Sequence, residues 1–77
     1  MRIDLFLKKA DIIRRRKVAH DLCNRGMVFL NGKEAKPGKA IHTGDNITID
    51  SPGLKIRIKV VEAEEGRYQK IVDGSAS

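Results

Sequence analysis

The dipeptide Asn31-Gly32 constrains the fold of this chain more than any other feature of its sequence. It predicts a two-residue hairpin, because both central positions of a type I′ turn need positive φ, which Asn and Gly tolerate. The turn joins a strand over Val28–Leu30 to a short strand around residues 34–36. Gly26 suits the left-handed position that ends a helix. The sequence therefore predicts a helix that leads directly into a hairpin.

Apolar residues at helical spacing predict two short helices before this hairpin. The first spans residues 4 to 9 or 10, with Asp4 as its N-cap and its acidic and basic residues on the outer face. The second spans residues 18–25, and its apolar stripe consists of Val18, Ala19, Leu22 and Cys23. Helices of this length are not stable alone in water, so both are expected to pack on a sheet.

Three more strands are predicted after the hairpin, over residues 46–50, Leu54–Glu62 and residues 67–72. In Leu54–Glu62 apolar and basic residues alternate with a period of two, as expected for a strand with one buried face. Residues 73–77 are expected to form a disordered tail. The sequence therefore predicts one α+β domain over residues 1–72, with a C-terminal β extension.

The positive charge of the chain is confined to its first half. Residues 1–33 hold nine Lys and Arg against three acids, which gives the whole net charge of +6, and residues 34–77 hold seven of each sign. A rigid basic patch binds phosphates, so the asymmetry indicates a polyanionic partner such as RNA. The basic side chains of this half that we single out as RNA-contacting candidates are Arg2, Lys8, Lys9, Arg14, Arg15, Arg16, Lys17 and Arg25.

No pattern in the sequence indicates catalysis, a metal or a cofactor. Cys23 lies on an apolar stripe and is expected to be a buried thiol, and a single cysteine excludes an internal disulfide. His20 and His42 lack the spacing of metal ligands. Asp4 has no catalytic partner nearby and is expected to cap its helix or to pair with an arginine. The chain has neither a long apolar run nor a signal-peptide core, so we expect a cytoplasmic protein.

Four linked sequence blocks resemble the S-four RNA-binding domain. They are Met1-Arg2-Ile3-Asp4-x-Phe6-Leu7, Arg15-Arg16-x-x-Ala19, Gly26-x-Val28-x-Leu30-Asn31-Gly32 and Gly44-Asp45-x-Ile47. The resemblance implies two helices packed on a small curved, mostly antiparallel sheet, the alpha-L RNA-binding motif. It places the RNA contacts at Arg2, at residues 14–17 and near Gly26, with Arg2 and Arg16 matching best. Asp11 and Met27 stand where members often have a basic residue, which removes two expected phosphate contacts.

The chain is most similar to stand-alone members of this family, the heat-shock-protein-fifteen-like proteins and a small factor acting on stalled large ribosomal subunits. The resemblance therefore implies a monomeric, non-catalytic protein that binds ribosomal RNA on the large subunit, with tRNA as a further candidate. Alternatives are a module of an RNA-modifying enzyme, which the start at Met1 and the short length disfavour, and a ribosome-assembly factor. DNA binding and membrane binding are further alternatives that rank below RNA binding. Membrane insertion is disfavoured because the basic residues cluster at an elbow instead of along one face of a long helix.

Two features of the sheet carry their own predictions. Phe29 is out of phase with Val28 and Leu30, so we expect it either to pack near Tyr68 or to remain exposed as a platform for an unpaired base. Packing is favoured. Lys55, Arg57 and Lys59 are expected to lie on a solvated sheet face and not in the RNA site.

Overall fold

A computed structural model describes residues 1–71, so the predicted tail over residues 73–77 lies outside the described residues. Two helices come first, α1 (Ile3–Lys9) and α2 (Arg16–Asn24). Five strands follow, and they are β1 (Val28–Leu30), β2 (Lys33–Glu34), β3 (Asn46–Ser51), β4 (Leu54–Glu62) and β5 (Arg67–Lys70). The predicted α+β architecture is confirmed, with helix and strand ends shifted by one or two residues at several places.

The strands form one antiparallel sheet in the order β2-β1-β3-β4-β5. Asn31 and Gly32 have φ values of 51° and 86°, as the predicted hairpin requires. The hairpin closes tightly, so β2 is Lys33–Glu34 and not residues 34–36. The last predicted strand ends at Lys70 within the described residues, and a bulge between Val60 and Glu62 shifts its register on β4.

One face of the sheet carries the core. Side chains alternate along the strands, so that Val28, Ile47 and Ile58 are buried beneath the two helices. The helices contribute Ile3, Phe6, Leu7, Ala19 and Cys23 to the same core. Val18 is 45% exposed, so its predicted place in the apolar stripe of α2 is wrong. The core side of α2 is set by Ala19 and Cys23, and Val18 lies about 100° around the helix from Ala19, on the solvent side.

Both helices end in the same way, with a residue in the left-handed conformation. After α2, Gly26 has φ +73°, its N–H donates to the Cys23 carbonyl, and the next N–H donates to the carbonyl of Leu22. After α1, Asp11 has φ +60° and makes the equivalent pair of bonds. Asp11 therefore has a backbone role at a helix end.

Phe29 lies on the sheet face opposite the core and is half-buried. Phe29 pairs with Thr48 on the neighbouring strand, and Thr48 pairs with Arg57 on the next. Residues paired across strands point to the same side of the sheet, so these three side chains share that face. Tyr68 is opposite Val60 and therefore lies on the other face. The favoured prediction that Phe29 packs near Tyr68 is wrong, because strand pairing places two strands and the thickness of the sheet between them.

Candidate nucleic-acid interface

The N-terminus of α1 is capped by a distant loop instead of by a side chain. The Ile3 N–H donates to the Lys39 carbonyl at 2.8 Å, and the Asp4 N–H donates to the Pro37 carbonyl at 3.3 Å. Backbone carbonyls therefore satisfy the first two N–H donors of the helix. The prediction that Asp4 is the N-cap is wrong, because Asp4 is the second residue of the helix, and its carboxylate has further partners outside the helix backbone.

Those partners are two arginines. The Asp4 side chain is 1% exposed, and its carboxylate accepts hydrogen bonds from Arg2 Nε at Oδ1 and from Arg2 Nη2 at Oδ2, both at 3.1 Å. Arg16 Nε lies 3.5 Å from Oδ2, and the Leu5 N–H donates to Oδ1 at 2.7 Å. A buried carboxylate requires such compensation. The predicted alternative of an ion pair between Asp4 and an arginine is confirmed.

The two arginines face solvent from this fixed position. Their side chains are 47% and 46% exposed for Arg2 and Arg16, so each guanidinium has donors directed away from Asp4. Residues Arg2, Asp4, Arg16, Lys17 and His20 line a cleft of about 300 Å³, which we call the arginine cleft. Two arginines and one lysine line the cleft against one carboxylate, which suits it to an anionic group.

His20 is a member of the arginine cleft that the sequence pattern did not single out. It lies one turn after Arg16 on the same face of α2, and its Nδ1 is 3.2 Å from Asn24 Nδ2. The spacing of four residues between Arg16 and His20 is the sequence signal that could have found it.

The other candidate residues are exposed but lie outside the arginine cleft. Arg14 and Arg15 lie in the elbow before α2, with Arg15 at its N-cap. Lys8 and Lys9 lie in the last turn of α1. Arg25 follows the far end of α2 and pairs with Asp21 at 2.9 Å. The structure thus groups Arg2, Arg16 and Lys17, and separates them from Lys8, Lys9 and Arg25.

Cys23 lies beneath this surface and is 4% exposed, as predicted. Burial, together with the nearby charge of Asp4, raises the pKa of the Cys23 thiol from 9.0 to about 11. The thiol therefore stays protonated at neutral pH, and a protonated, buried sulfur is a poor nucleophile.

Residues 1–71 contain neither a metal cluster nor a membrane-spanning helix. In this range no group of three or more His, Cys, Asp or Glu residues could hold a metal ion. No helix in the same range has the length and apolar character needed to cross a membrane.

The family model described as "S4 domain" matches residues 1–47, which include both helices, the hairpin and every residue of the arginine cleft. The chain belongs to the S4 domain family. The four sequence blocks that carry the resemblance fall within this S4 domain.

Relatives of this S4 domain chain include proteins named "RQC P-site tRNA stabilizing factor". One from Helicobacter pylori is 51% identical over 49 residues, which cover 64% of this chain and 58% of that protein. One from Bacillus subtilis is 31% identical over 65 residues, which cover 84% of this chain and 76% of that protein. The chain therefore spans little more than half the length of the Helicobacter relative.

A solved structure of heat shock protein 15 from Vibrio cholerae, described as trimeric, has the same fold. It superimposes with a TM-score of 0.81 and 26% identity over 92% of this chain and 81% of that chain. The similarity extends beyond the S4 domain match and includes the C-terminal strands.

Proposed function

We propose that this chain is a non-catalytic protein that binds structured ribosomal RNA and the adjoining tRNA on the large ribosomal subunit. In this proposal it acts in the cytoplasm during rescue of stalled translation, and it is a monomer when free. The arginine cleft makes the principal contact with RNA phosphates. The names of its relatives, which refer to a P-site tRNA, support the ribosomal context.

The observation that carries the proposal is the buried Asp4 carboxylate between Arg2 and Arg16. Two guanidinium groups repel each other, and the carboxylate allows both to occupy one cleft. It also fixes their direction, so less side-chain entropy is lost when phosphate binds. Arginine suits this task because its planar donors meet phosphate oxygens in pairs.

The elbow before α2 extends the same surface. Arg14 and Arg15 are exposed there, and α2 begins without a side-chain cap. The first N–H groups of a helix attract phosphate oxygens. Contacts of this kind read the shape of an RNA backbone without reading its bases, which suits A-form RNA because its major groove is too narrow for side chains.

The test compares two pairs of variants in RNA titrations at one fixed salt concentration. Arg2→Ala and Arg16→Ala each remove a charge from the arginine cleft, and Lys55→Ala and Lys59→Ala remove the same charge from the opposite sheet face. Each arginine variant is expected to bind about tenfold more weakly or worse, because hydrogen bonds to charged groups contribute roughly 1.5–3 kcal/mol. The lysine variants are expected to change affinity far less.

Equal losses in all four variants would contradict a located site and leave only attraction by net charge. Melting curves of each variant show whether a loss reflects unfolding. A second readout is the salt dependence of the wild-type protein. If about four to six phosphates are neutralised, the log–log slope is expected on the order of −3 to −5, and a flat response would refute electrostatic binding.

A further inference from the structure

A second group of cations lies beside the arginine cleft, and two of its members, Lys36 and Lys39, belong to the half of the sequence that is neutral overall. Residues 36–39 form a tight turn in which the Lys39 N–H donates to the Lys36 carbonyl at 3.0 Å. The ends of such a turn have Cα atoms less than about 7 Å apart. Lys36 and Lys39 are both exposed, and Pro37 between them is buried, so the turn presents two ammonium groups from an anchored backbone.

This turn is joined directly to the arginine cleft. Its Pro37 and Lys39 carbonyls cap the first N–H groups of α1. At Gly38 an added Cβ would lie 3.7 Å from Arg2 Nη2, so the Arg2 guanidinium packs against the turn. Arg2 therefore lies between the turn and Arg16, because the same guanidinium also binds Asp4.

Lys33 on the edge strand completes the group. Together Lys33, Lys36 and Lys39 line a groove of about 500 Å³ beside Leu30, Asn31, Glu34 and Ala35, and we call this surface the lysine loop. Within residues 1–71 none of the three lysines forms an ion pair. The acid in the groove, Glu34, directs its carboxylate toward Gly26, since Oε1 lies 2.6 Å from the position of a Gly26 Cβ.

We propose that the lysine loop is a second contact for the RNA phosphate backbone, so that bound RNA crosses the N-terminal end of α1. The arginine cleft then binds one stretch of backbone, and the lysine loop binds the next. Lysine suits the second position because it binds phosphate as a mobile point charge without demanding one geometry. The inference rests on the proposed RNA binding and adds a contact outside the arginine cleft.

The experiment uses two double variants with the same loss of charge. Lys36→Ala/Lys39→Ala removes two cations from the lysine loop, and Lys55→Ala/Lys59→Ala removes two from the outer sheet face. Deproteinised large-subunit ribosomal RNA is the probe, titrated at several salt concentrations. The loop variant is expected to bind about tenfold more weakly and to lose about 1.5–2 units of salt slope. The sheet variant is expected to keep the wild-type slope and to lose less than about threefold in affinity.

The outcomes separate this inference from the proposed function. If the Arg2→Ala/Arg16→Ala variant binds as tightly as the wild type, the arginine cleft itself is refuted. If that variant is weakened but the loop and sheet variants behave alike, the lysine loop alone is overturned. All four lysines are exposed, so melting temperatures close to that of the wild type are expected, and they verify that each variant is folded.

Discussion

Replacing Asp4 by Asn separates a positioning role of this carboxylate from a simple effect of net charge. The substitution raises the net charge from +6 to +7, so attraction by the overall field predicts tighter RNA binding. The geometry predicts weaker binding. An asparagine can still accept at Oδ1, but its NH₂ group then faces Arg2 Nη2 and Arg16 Nε, which are also donors.

The size of the effect follows from the two interactions at Oδ2 that the substitution removes. These join Oδ2 to Arg2 Nη2 at 3.1 Å and to Arg16 Nε at 3.5 Å, and both arginines are about half exposed. At about 1–1.5 kcal/mol for each interaction, unfolding free energy falls by roughly 2–3 kcal/mol. For a domain of this size that lowers Tm by roughly 10–20 °C. Without the interactions at Asp4 Oδ2 the two guanidinium groups are no longer held in one direction, and the variant is expected to bind RNA about tenfold more weakly.

The assay is an RNA titration at a temperature below the melting transition of the Asp4→Asn variant, which circular dichroism determines. Asp50→Asn is the matched control: it makes the same change of charge at an exposed carboxylate that contacts Lys55 at 3.6 Å. The control is expected to bind RNA as well as the wild type or slightly better. An Asp4→Asn variant that is folded and binds as tightly as this control would refute the positioning argument.

Three further changes test the fold around the interface. Gly66→Ala is expected to lower the unfolding free energy by at least about 2 kcal/mol, because φ at Gly66 is +68° and an added Cβ would lie 2.8 Å from the Lys9 carbonyl carbon. A denaturant titration whose midpoint is unchanged would contradict this. Asp11→Gly is expected to raise Tm slightly, since Gly adopts φ +60° without strain, and a lower Tm in a thermal melt would contradict it. For Cys23, the unfolded thiol loses its proton near pH 9.0 while the native thiol keeps it to about pH 11, so stability is expected to fall by about 2–3 kcal/mol across that window. Cys23→Ala is expected to lack this component when urea melts are compared at pH 8, 9, 10 and 11.

The sequence was sufficient to predict the local backbone where one turn, or a strict alternation of apolar and polar residues, determines it. Asn31 and Gly32 both require positive φ, and the structure has it at both. In β4 the alternation of apolar and basic residues also predicted which side chains are buried. Gly26 ends α2 in the left-handed conformation that its position indicated. These features depend on neighbours in sequence, so the sequence is informative about them.

What the sequence could not predict depends on residues far apart in the chain. Asp4 has the composition and position of a helix cap, and only the carbonyls of Pro37 and Lys39 show that the cap is supplied from elsewhere. The charge count did not indicate the lysine loop, because Lys36 and Lys39 lie in a stretch of sequence whose positive and negative charges balance. Folding brings these two lysines close to Arg2. The separation of Phe29 from Tyr68 could not be predicted either, because strand order is a tertiary property.

The distant cap makes α1 depend on a loop that lies far along the chain. Helix α1 has seven residues, too few to persist alone, and its first two N–H groups find acceptors only when residues 37 and 39 arrive. Closing that long loop costs chain entropy before any contact compensates for it. An incompletely folded chain therefore carries the same charge as the native protein but holds neither arginine in place. If the proposed function holds, only molecules that have completed their tertiary structure compete for a shaped RNA, and bound RNA stabilises those molecules by mass action.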